Sequence, residues 1–546
     1  MTRTTARRTV PKKSVAVPCT SKSNAVGRMV ELSPRRSAPG YTESVTLRRR
    51  SSFSGVDADR RPSPLVLSDW GLSAIDRQSG DAMDRRLAED LTELPGLLNA
   101  VSGAAGELLA GLAGRTVAVP PGEVPPSAIP ESGIGLRQAL SEFRRRWEPG
   151  FSGSAGPRYL GFVTGGATPA AIAGDWLTST FDQNAMSGED SVADMLERET
   201  LGWIGELFGL TEFRGAFVTG ATMSNFVGLA IAREWLGEQL GVSVAQSGVG
   251  ALGPVHVLSG TPHSSIPKTL SMLGIGRDRL TLVRTRPDRE AIDVDKLAAA
   301  LAGLDGRPAI VVANAGTVNT VDFDDLRAIA ELRRRYPFWL HVDAAFGAFA
   351  ALSDRPELVD GLAAADSVCV DLHKWLNVPY DAAVQFSRRQ DLQLRVFQNS
   401  AAYLTAPSAT PDFGHLVPEN SRRLRALAAW FTLRAYGRDG YREIVRRNVS
   451  CAQRLGERLA ATGMLEMLAP VRLNVACFTL AQHPTTERVH ALIYAIAKSG
   501  ETFVTPTVYR GKPAVRAAFS NWRTTEADAD RACDAIVAAA ENLATA

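Results

Sequence analysis

Asp366-Ser-Val-Cys-Val-Asp-Leu-His-Lys-Trp-Leu-Asn-Val-Pro-Tyr380 carries an amine, Lys374, and an imidazole, His373, to the end of a continuous apolar run. The earlier stretch Phe338-Trp-Leu-His-Val-Asp343-Ala-Ala-Phe-Gly347 ends a similar run on a carboxylate. Runs this short and apolar read as strands buried on both faces, as in a parallel sheet. In α/β folds the C-terminal ends of such strands open onto the ligand crevice. A snorkelling lysine and a helix-capping aspartate would satisfy either stretch taken singly. Taken together they predict a site.

Working outward, residues 156–420 alternate apolar strands with helices. The strands are read at Gly215–Val218, Val255–Leu258, Leu280–Val283, Ala309–Ala313, Trp339–Val342 and Ser367–Val370. This alternation predicts an α/β fold with a mainly parallel sheet covered on both faces. Four parts are expected: a basic head, 1–64; an N-terminal helical segment, 65–150, with helices over Met83–Leu98 and Leu136–Trp147; a large domain, 151–421; and a smaller α+β domain, 422–546.

Bulk properties narrow the class. A chain of 546 residues with 45% hydrophobic and 22% charged residues is an ordinary globular composition. No run approaches the roughly 20 apolar residues that a membrane helix needs, so a soluble protein is expected. The five cysteines are scattered and unpaired in spacing, which predicts neither a disulfide framework nor a metal site and fits a cytoplasmic enzyme. Residues 1–61 hold fourteen Lys or Arg against four Asp or Glu, so the net +3 divides into +10 there and −7 elsewhere. That head reads as disordered. A transit peptide, a nucleic-acid-touching arm or a mere extension would each fit it, and the extension is favoured over a nucleic-acid partner.

Chemistry gathers at the strand ends. Val218-Thr-Gly220-Ala-Thr222-Met-Ser-Asn225 joins a strand to a helix, and such a turn offers free N–H groups and a positive dipole end to a phosphate. It lacks the Gly-Lys-Ser/Thr of a nucleotide-triphosphate loop. His263 follows the next strand and Thr317 the one after the third. A lysine for a Schiff base, with an aspartate to keep a ring nitrogen protonated, suits pyridoxal phosphate. The order of turn, His, Thr, Asp and Lys along successive strands is more specific than any one member.

With these motifs in place the chain resembles the group II pyridoxal-phosphate-dependent amino-acid decarboxylases, which include aromatic-L-amino-acid, glutamate and diaminobutyrate decarboxylases. The matching stretches are Pro157–Gly166, Thr219–Asn225, Pro262–Ser265, His341–Ala345, Asp371–Trp375 and Pro418–Arg423. The resemblance implies fold type I of the pyridoxal-phosphate enzymes and a homodimer with shared active sites, wrapped by the helical segment. It implies a Schiff base with Lys374, Asp343 at the pyridine nitrogen, and His263 and Ala345 on the two ring faces. Ala221, Thr222, Thr317 and Asp371 would complete the cofactor site, with His373 beside the substrate and Phe162, Val163 and Thr164 in its pocket. The implied reaction is decarboxylation of an L-amino acid to its amine, with an aromatic substrate favoured.

One departure matters. Relatives carry a loop tyrosine that reprotonates Cα, and counting back from Arg422-Arg423 puts Phe413 there. In aromatic acetaldehyde synthases this change accompanies an aldehyde product, while His415 or Tyr403 in the same stretch could instead supply the proton. Phe413 and His415 are therefore expected in the substrate pocket. A scaffold that has lost catalysis is the remaining alternative, opposed by the intact Lys374, Asp343 and His263.

Overall fold

The computed structural model describes residues 83–399 and 410–545, all within the compact unit Ala82–Ala546. The basic head, Cys19 and Tyr403 lie outside the described residues.

Seven strands form the main sheet: β1 (Arg214–Val218), β2 (Val257–Ser259), β3 (Leu280–Leu282), β4 (Ala309–Asn314), β5 (Phe338–Asp343), β6 (Ser367–Asp371) and β7 (Ala383–Ser387). Their order is β1-β7-β6-β5-β4-β2-β3. The pairs from β3 through β2, β4 and β5 to β6 are parallel, and β7 runs antiparallel to both of its neighbours. Every residue of β4, β5 and β6 is buried, as their unbroken apolar character requires. The strands expected from sequence are all present, whereas β7 is an addition. Its insertion makes the sheet mixed without moving the C-terminal ends of β2, β4, β5 and β6, which still point one way.

Helices α1 (Arg85–Thr92), α2 (Leu94–Gly111) and α3 (Leu136–Arg146) precede this layer, α1 capped by Asp84, whose Oδ1 accepts from the Arg86 and Leu87 amides. α4 (Pro169–Phe181) and α5 (Ala193–Phe208) follow, and α6 (Ala221–Gln239) leaves β1 directly. α6 buries Val227, Leu229, Ile231 and Leu236 against the sheet. The smaller sheet, β8 (Leu465–Met467), β9 (Val475–Leu480), β10 (Thr505–Tyr509) and β11 (Lys512–Ala518), is wholly antiparallel, ordered β10-β11-β9-β8.

Two apolar cores result, and one helix serves both. Ala426–Ala461 buries Ala426, Leu433 and Val445 in the large core and Cys451, Leu455 and Leu459 in the small one. Gly437 breaks its helical geometry with φ 59° and ψ −170°, a conformation that glycine alone adopts without steric cost. The sequence reading of two helices, Leu424–Tyr436 and Arg442–Thr462, divides at this residue.

Candidate active site

Lys374 sits in a single helical turn, Leu372–Trp375, that follows β6 directly. Leu372 and Trp375 are buried, and the Trp375 indole donates to Asn448 Oδ1 at 2.8 Å. Pinning these two side chains inward leaves His373 and Lys374 to face the crevice. The turn tolerates no bulk opposite: a Cβ at Gly165 would stand 1.8 Å from the Lys374 carbonyl oxygen. Asn377 closes the junction, donating through Nδ2 to Gly165 O at 2.6 Å and Ser520 O at 2.7 Å.

The crevice is a cavity of about 410 Å³, within the range of small-molecule sites. On one side lie Lys374, His373 and Asp371, on another Asp343 and Ala345, with His263 and the start of α6 (Ala221, Thr222, Met223) completing the wall. Phe162, Val163, Phe346 and Tyr380 add apolar and aromatic surface. Lys374 Nζ is 3.4 Å from Asp371 Oδ2 and 5.5 Å from the Phe346 ring centroid. His373 Nδ1 lies 3.2 Å from Asp371 Oδ1, and its ring meets Tyr380 in a tilted contact, 4.2 Å between centroids. Burial pushes the Asp371 carboxyl upward, but Lys374 and His373 outweigh it and hold the group below the ordinary carboxylate range.

Asp343 has a different environment. Its Oδ2 accepts from Asn225 Nδ2 at 2.9 Å and its Oδ1 from the Ala345 amide at 3.2 Å, both neutral donors. His263 is pulled below the ordinary imidazole range, chiefly by burial, with Asp343 opposing. Arg516, from β11, is 6% exposed and lines the same cavity. Its Nη1 donates to Phe162 O at 3.1 Å, whereas Nε and Nη2 have no partner. Burial draws this guanidinium down to about 10.

Ten of the residues expected from sequence therefore meet in one cavity: Lys374, His373, Asp371, Asp343, Ala345, His263, Ala221, Thr222, Phe162 and Val163. Four do not line it. The Thr317 hydroxyl is consumed elsewhere, donating to Glu290 Oε2 at 2.5 Å and accepting from the Asp322 amide at 2.9 Å, so Asn314, Gly316 and Val318 face the cavity in its place. Thr164 stands behind the wall, its hydroxyl 3.4 Å from the Tyr380 hydroxyl. Phe413 is fully buried, clamped between the guanidinium groups of Arg198 (4.6 Å) and Arg422 (4.9 Å). Arg422 is fixed in turn by the buried Glu197 at 2.7 Å. His415 is buried as well, and its Nδ1 accepts from the Asn399 amide at 3.0 Å. The expectation that Phe413 and His415 face substrate is corrected: both rings are spent on packing and hydrogen bonding at the root of the 400–409 segment. Conversely, Arg516, Tyr380 and Asn225 belong to the site without having been singled out. Among the described residues no group of His, Cys, Asp and Glu is arranged to hold a metal, and no helix is long and apolar enough to cross a membrane.

The arrangement suits a flat anionic cofactor that forms a Schiff base. The first N–H groups of α6 have no intrahelical acceptor and face an anion-binding position. Asp343 carries a carboxylate matched only by neutral donors, so a cationic ring nitrogen would complete it. Arg516 holds two orphaned donors ready for an anion. The fold and site thus define a pyridoxal-phosphate lysine enzyme of the α/β type.

Comparison with known proteins narrows this. The model of the pyridoxal-dependent decarboxylase conserved domain matches residues 121–481, and the chain belongs to that family. It is 26% identical over 414 residues to an aromatic-L-amino-acid decarboxylase of Bacillus atrophaeus, spanning 73% of this chain and 84% of that protein. It is 27% identical over 409 residues to a 3,4-dihydroxyphenylacetaldehyde synthase of Aedes aegypti, spanning 71% and 77%. Its fold matches the crystal structure of Oryza sativa TDC with PLP and tryptamine, with a TM-score of 0.76, 21% identity and coverage of 86% and 99%. Pyridoxal phosphate is the cofactor and amino-acid decarboxylation the reaction class.

Proposed function

We propose that the chain decarboxylates an aromatic L-amino acid to its amine, with Lys374 as the residue that holds the cofactor. The observation that carries this reading is the meeting of Lys374 Nζ, Asp343, His263 and the start of α6 in one cavity with an aromatic rim of Phe162, Phe346 and Tyr380. Bound pyridoxal phosphate supplies an electron sink for the pair left behind by departing carbon dioxide. Asp343 would hold the ring nitrogen protonated and so keep that sink deep. His263 and Ala345 would confine the cofactor ring, and the amides of Ala221 and Thr222 would hold its phosphate. Arg516, a buried cation in the cavity wall, would attract the substrate carboxylate and help orient it. Asp371 balances the charge of Lys374 and steadies His373.

The product proposed is the amine. An aldehyde product would rest on Phe413 replacing a loop hydroxyl at the substrate, and a fully buried Phe413 gives that no support. Of the two donors considered for Cα, His415 and Tyr403, Tyr403 is then the one proposed to return the proton. The site residues are proposed to work in a cytoplasmic homodimer, with α1–α3 lying against the partner; Leu87, Leu91, Leu94 and Leu98 are exposed on that segment in the single chain. The test is purified protein, loaded with pyridoxal phosphate and offered tryptophan, tyrosine, phenylalanine, glutamate and diaminobutyrate in air, with amine, aldehyde and peroxide quantified. Amine from the aromatic substrates is expected. Turnover of glutamate or diaminobutyrate alone would refute the substrate class, and peroxide in step with carbon dioxide would refute the amine.

A further inference from the structure

Behind the cavity, among buried residues that do not line it, runs a continuous chain of hydrogen bonds. Trp339 Nε1 donates to Ser367 Oγ at 2.9 Å, and Ser367 Oγ meets His341 Nδ1 at 2.8 Å. His341 Nε2 meets Asn225 Oδ1 at 2.9 Å. Asn225 Nδ2 then donates twice, to Asp343 Oδ2 at 2.9 Å and to Ser265 Oγ at 3.1 Å. Ser265 Oγ lies 2.9 Å from His263 Nδ1, and the Ser265 amide donates to the same nitrogen at 3.2 Å. Trp339, Ser367, His341, Asn225 and Ser265 are all at most 3% exposed.

We infer that this chain fixes His263 as a neutral imidazole with its hydrogen on Nε2, and that Asn225 is the junction orienting His263 and Asp343 together. The inference rests on the reading above for what the two groups touch, but the proton positions follow from the geometry alone.

Three ends of the chain have only one possible role. An indole N–H and a backbone N–H can only donate, and an ionised carboxylate can only accept. The Asp343 carboxylate accepts from Asn225 Nδ2, which turns Asn225 Oδ1 toward His341 Nε2, and a neutral His341 leaves Nδ1 bare for the Ser367 hydroxyl. His341 therefore carries its own hydrogen on Nε2 and donates to Asn225 Oδ1. Ser265 Oγ accepts from Asn225, and it donates to His263 because the Ser265 backbone N–H already requires Nδ1 to be an acceptor. Charging His263 would set an Nδ1–H against the Ser265 backbone N–H and turn the Ser265 hydroxyl away. Burial draws His341 down to about 4, which matches a neutral link in the middle of the chain. Space is tight around that link: a Cβ at Gly228 would stand 2.7 Å from His341 Cε1.

For the chemistry, His263 then covers the ring as an uncharged plane with one N–H to offer. It adds no cation beside Lys374 and Arg516, and the negative charge of Asp343 stays directed at the ring nitrogen. His341, Ser367 and Trp339 act as positioning residues at a distance.

The test begins with full-length apoprotein labelled with ¹⁵N-histidine. The chain has seven histidines, and loss of one set of ring signals in His263→Gln assigns this one. A ring ¹⁵N pattern with Nε2 protonated and Nδ1 bare at neutral pH is expected; an Nδ1–H tautomer or an imidazolium overturns the inference. Because no cofactor or substrate is present, this outcome is independent of whether the protein decarboxylates amino acids. A second arm measures pyridoxal-phosphate affinity by equilibrium dialysis. His341→Leu breaks the chain and is expected to weaken affinity about tenfold, the lower end for loss of an outer-shell partner. His341→Gln keeps a donor toward Asn225 and should restore most of it. Equal losses in the two variants would reduce the chain to packing and overturn its positioning role.

Discussion

Asp343 and Asp371 end adjacent parallel strands, share one cavity and are nearly equally buried, at 6% and 3% exposure. Their partners differ in kind. Asp371 has cationic Lys374 beside it within its own turn, and His373 next to that. Asp343 is met by an amide side chain and a backbone N–H, neither of which carries charge. A buried carboxylate is costly unless it is paired or well hydrogen-bonded. Asp371 is therefore balanced within the chain, whereas Asp343 is held ready for a positive charge from outside it. On the proposed function, one carboxylate serves the protein's internal electrostatics and the other would serve its cofactor.

This contrast can be broken by experiment. Asp343→Asn should cost the most, lowering kcat by roughly 10²–10³-fold, the scale of losing one preorganised charge partner. It should scarcely alter stability without cofactor, and a steady-state assay beside urea unfolding would expose any reversal. Asp371→Asn should do the opposite, lowering the stability of the apoprotein by about 1–3 kcal/mol because Lys374 loses its counter-charge. A larger effect on kcat than that of Asp343→Asn would erase the distinction. The third effect is smaller. The folded-state pKa of Asp371 is depressed, so its contribution to stability is complete above the ordinary carboxylate value of about 3.9 and fades as pH falls through the lowered folded value. The stability gap between the parent chain and Asp371→Asn should thus be constant from pH 7 to 5 and shrink in more acidic solution; a gap that widens there contradicts the assignment. The smallest expected effect is none: Phe413→Tyr, remote from both carboxylates, should leave the amine-to-aldehyde ratio unchanged.

The residues legible from sequence share one property: each is a polar group set at the end of an apolar run. Lys374, Asp343 and His263 stood out because strand ends in a parallel sheet converge on one rim. Thr317 has the same address, but Glu290, arriving from a separate loop, takes its hydroxyl. Position along a strand predicts the rim and not the direction in which a side chain is drawn. Phe413 failed for a related reason, since counting from Arg422 measures distance along the chain, while the ring's fate is decided by Arg198 on α5. β7 escaped notice because Ala383–Ser387 is short, carries Gln385 in its middle and lies close to the Lys374 turn. Arg516 escaped because it is a lone cation within the otherwise apolar buried stretch of β11, and only the docking of the small sheet reveals what it faces.

That last arginine has a consequence for how the molecule is made. Lys374, Asp343, His263 and the turn at Ala221 are all translated before residue 375, yet Arg516 and Ser520, the latter tied to Asn377 beside the lysine turn, come from near the chain's end. Because synthesis proceeds from the N-terminus and domains fold as they emerge, the large sheet can assemble on the ribosome with its reactive lysine exposed on an open rim. The rim becomes a chamber when β11 arrives. The enzyme's reactive group is finished early and its enclosure late, so chains cut short before β11 should carry a lysine that reacts freely with aldehydes in the cell and retains none of them.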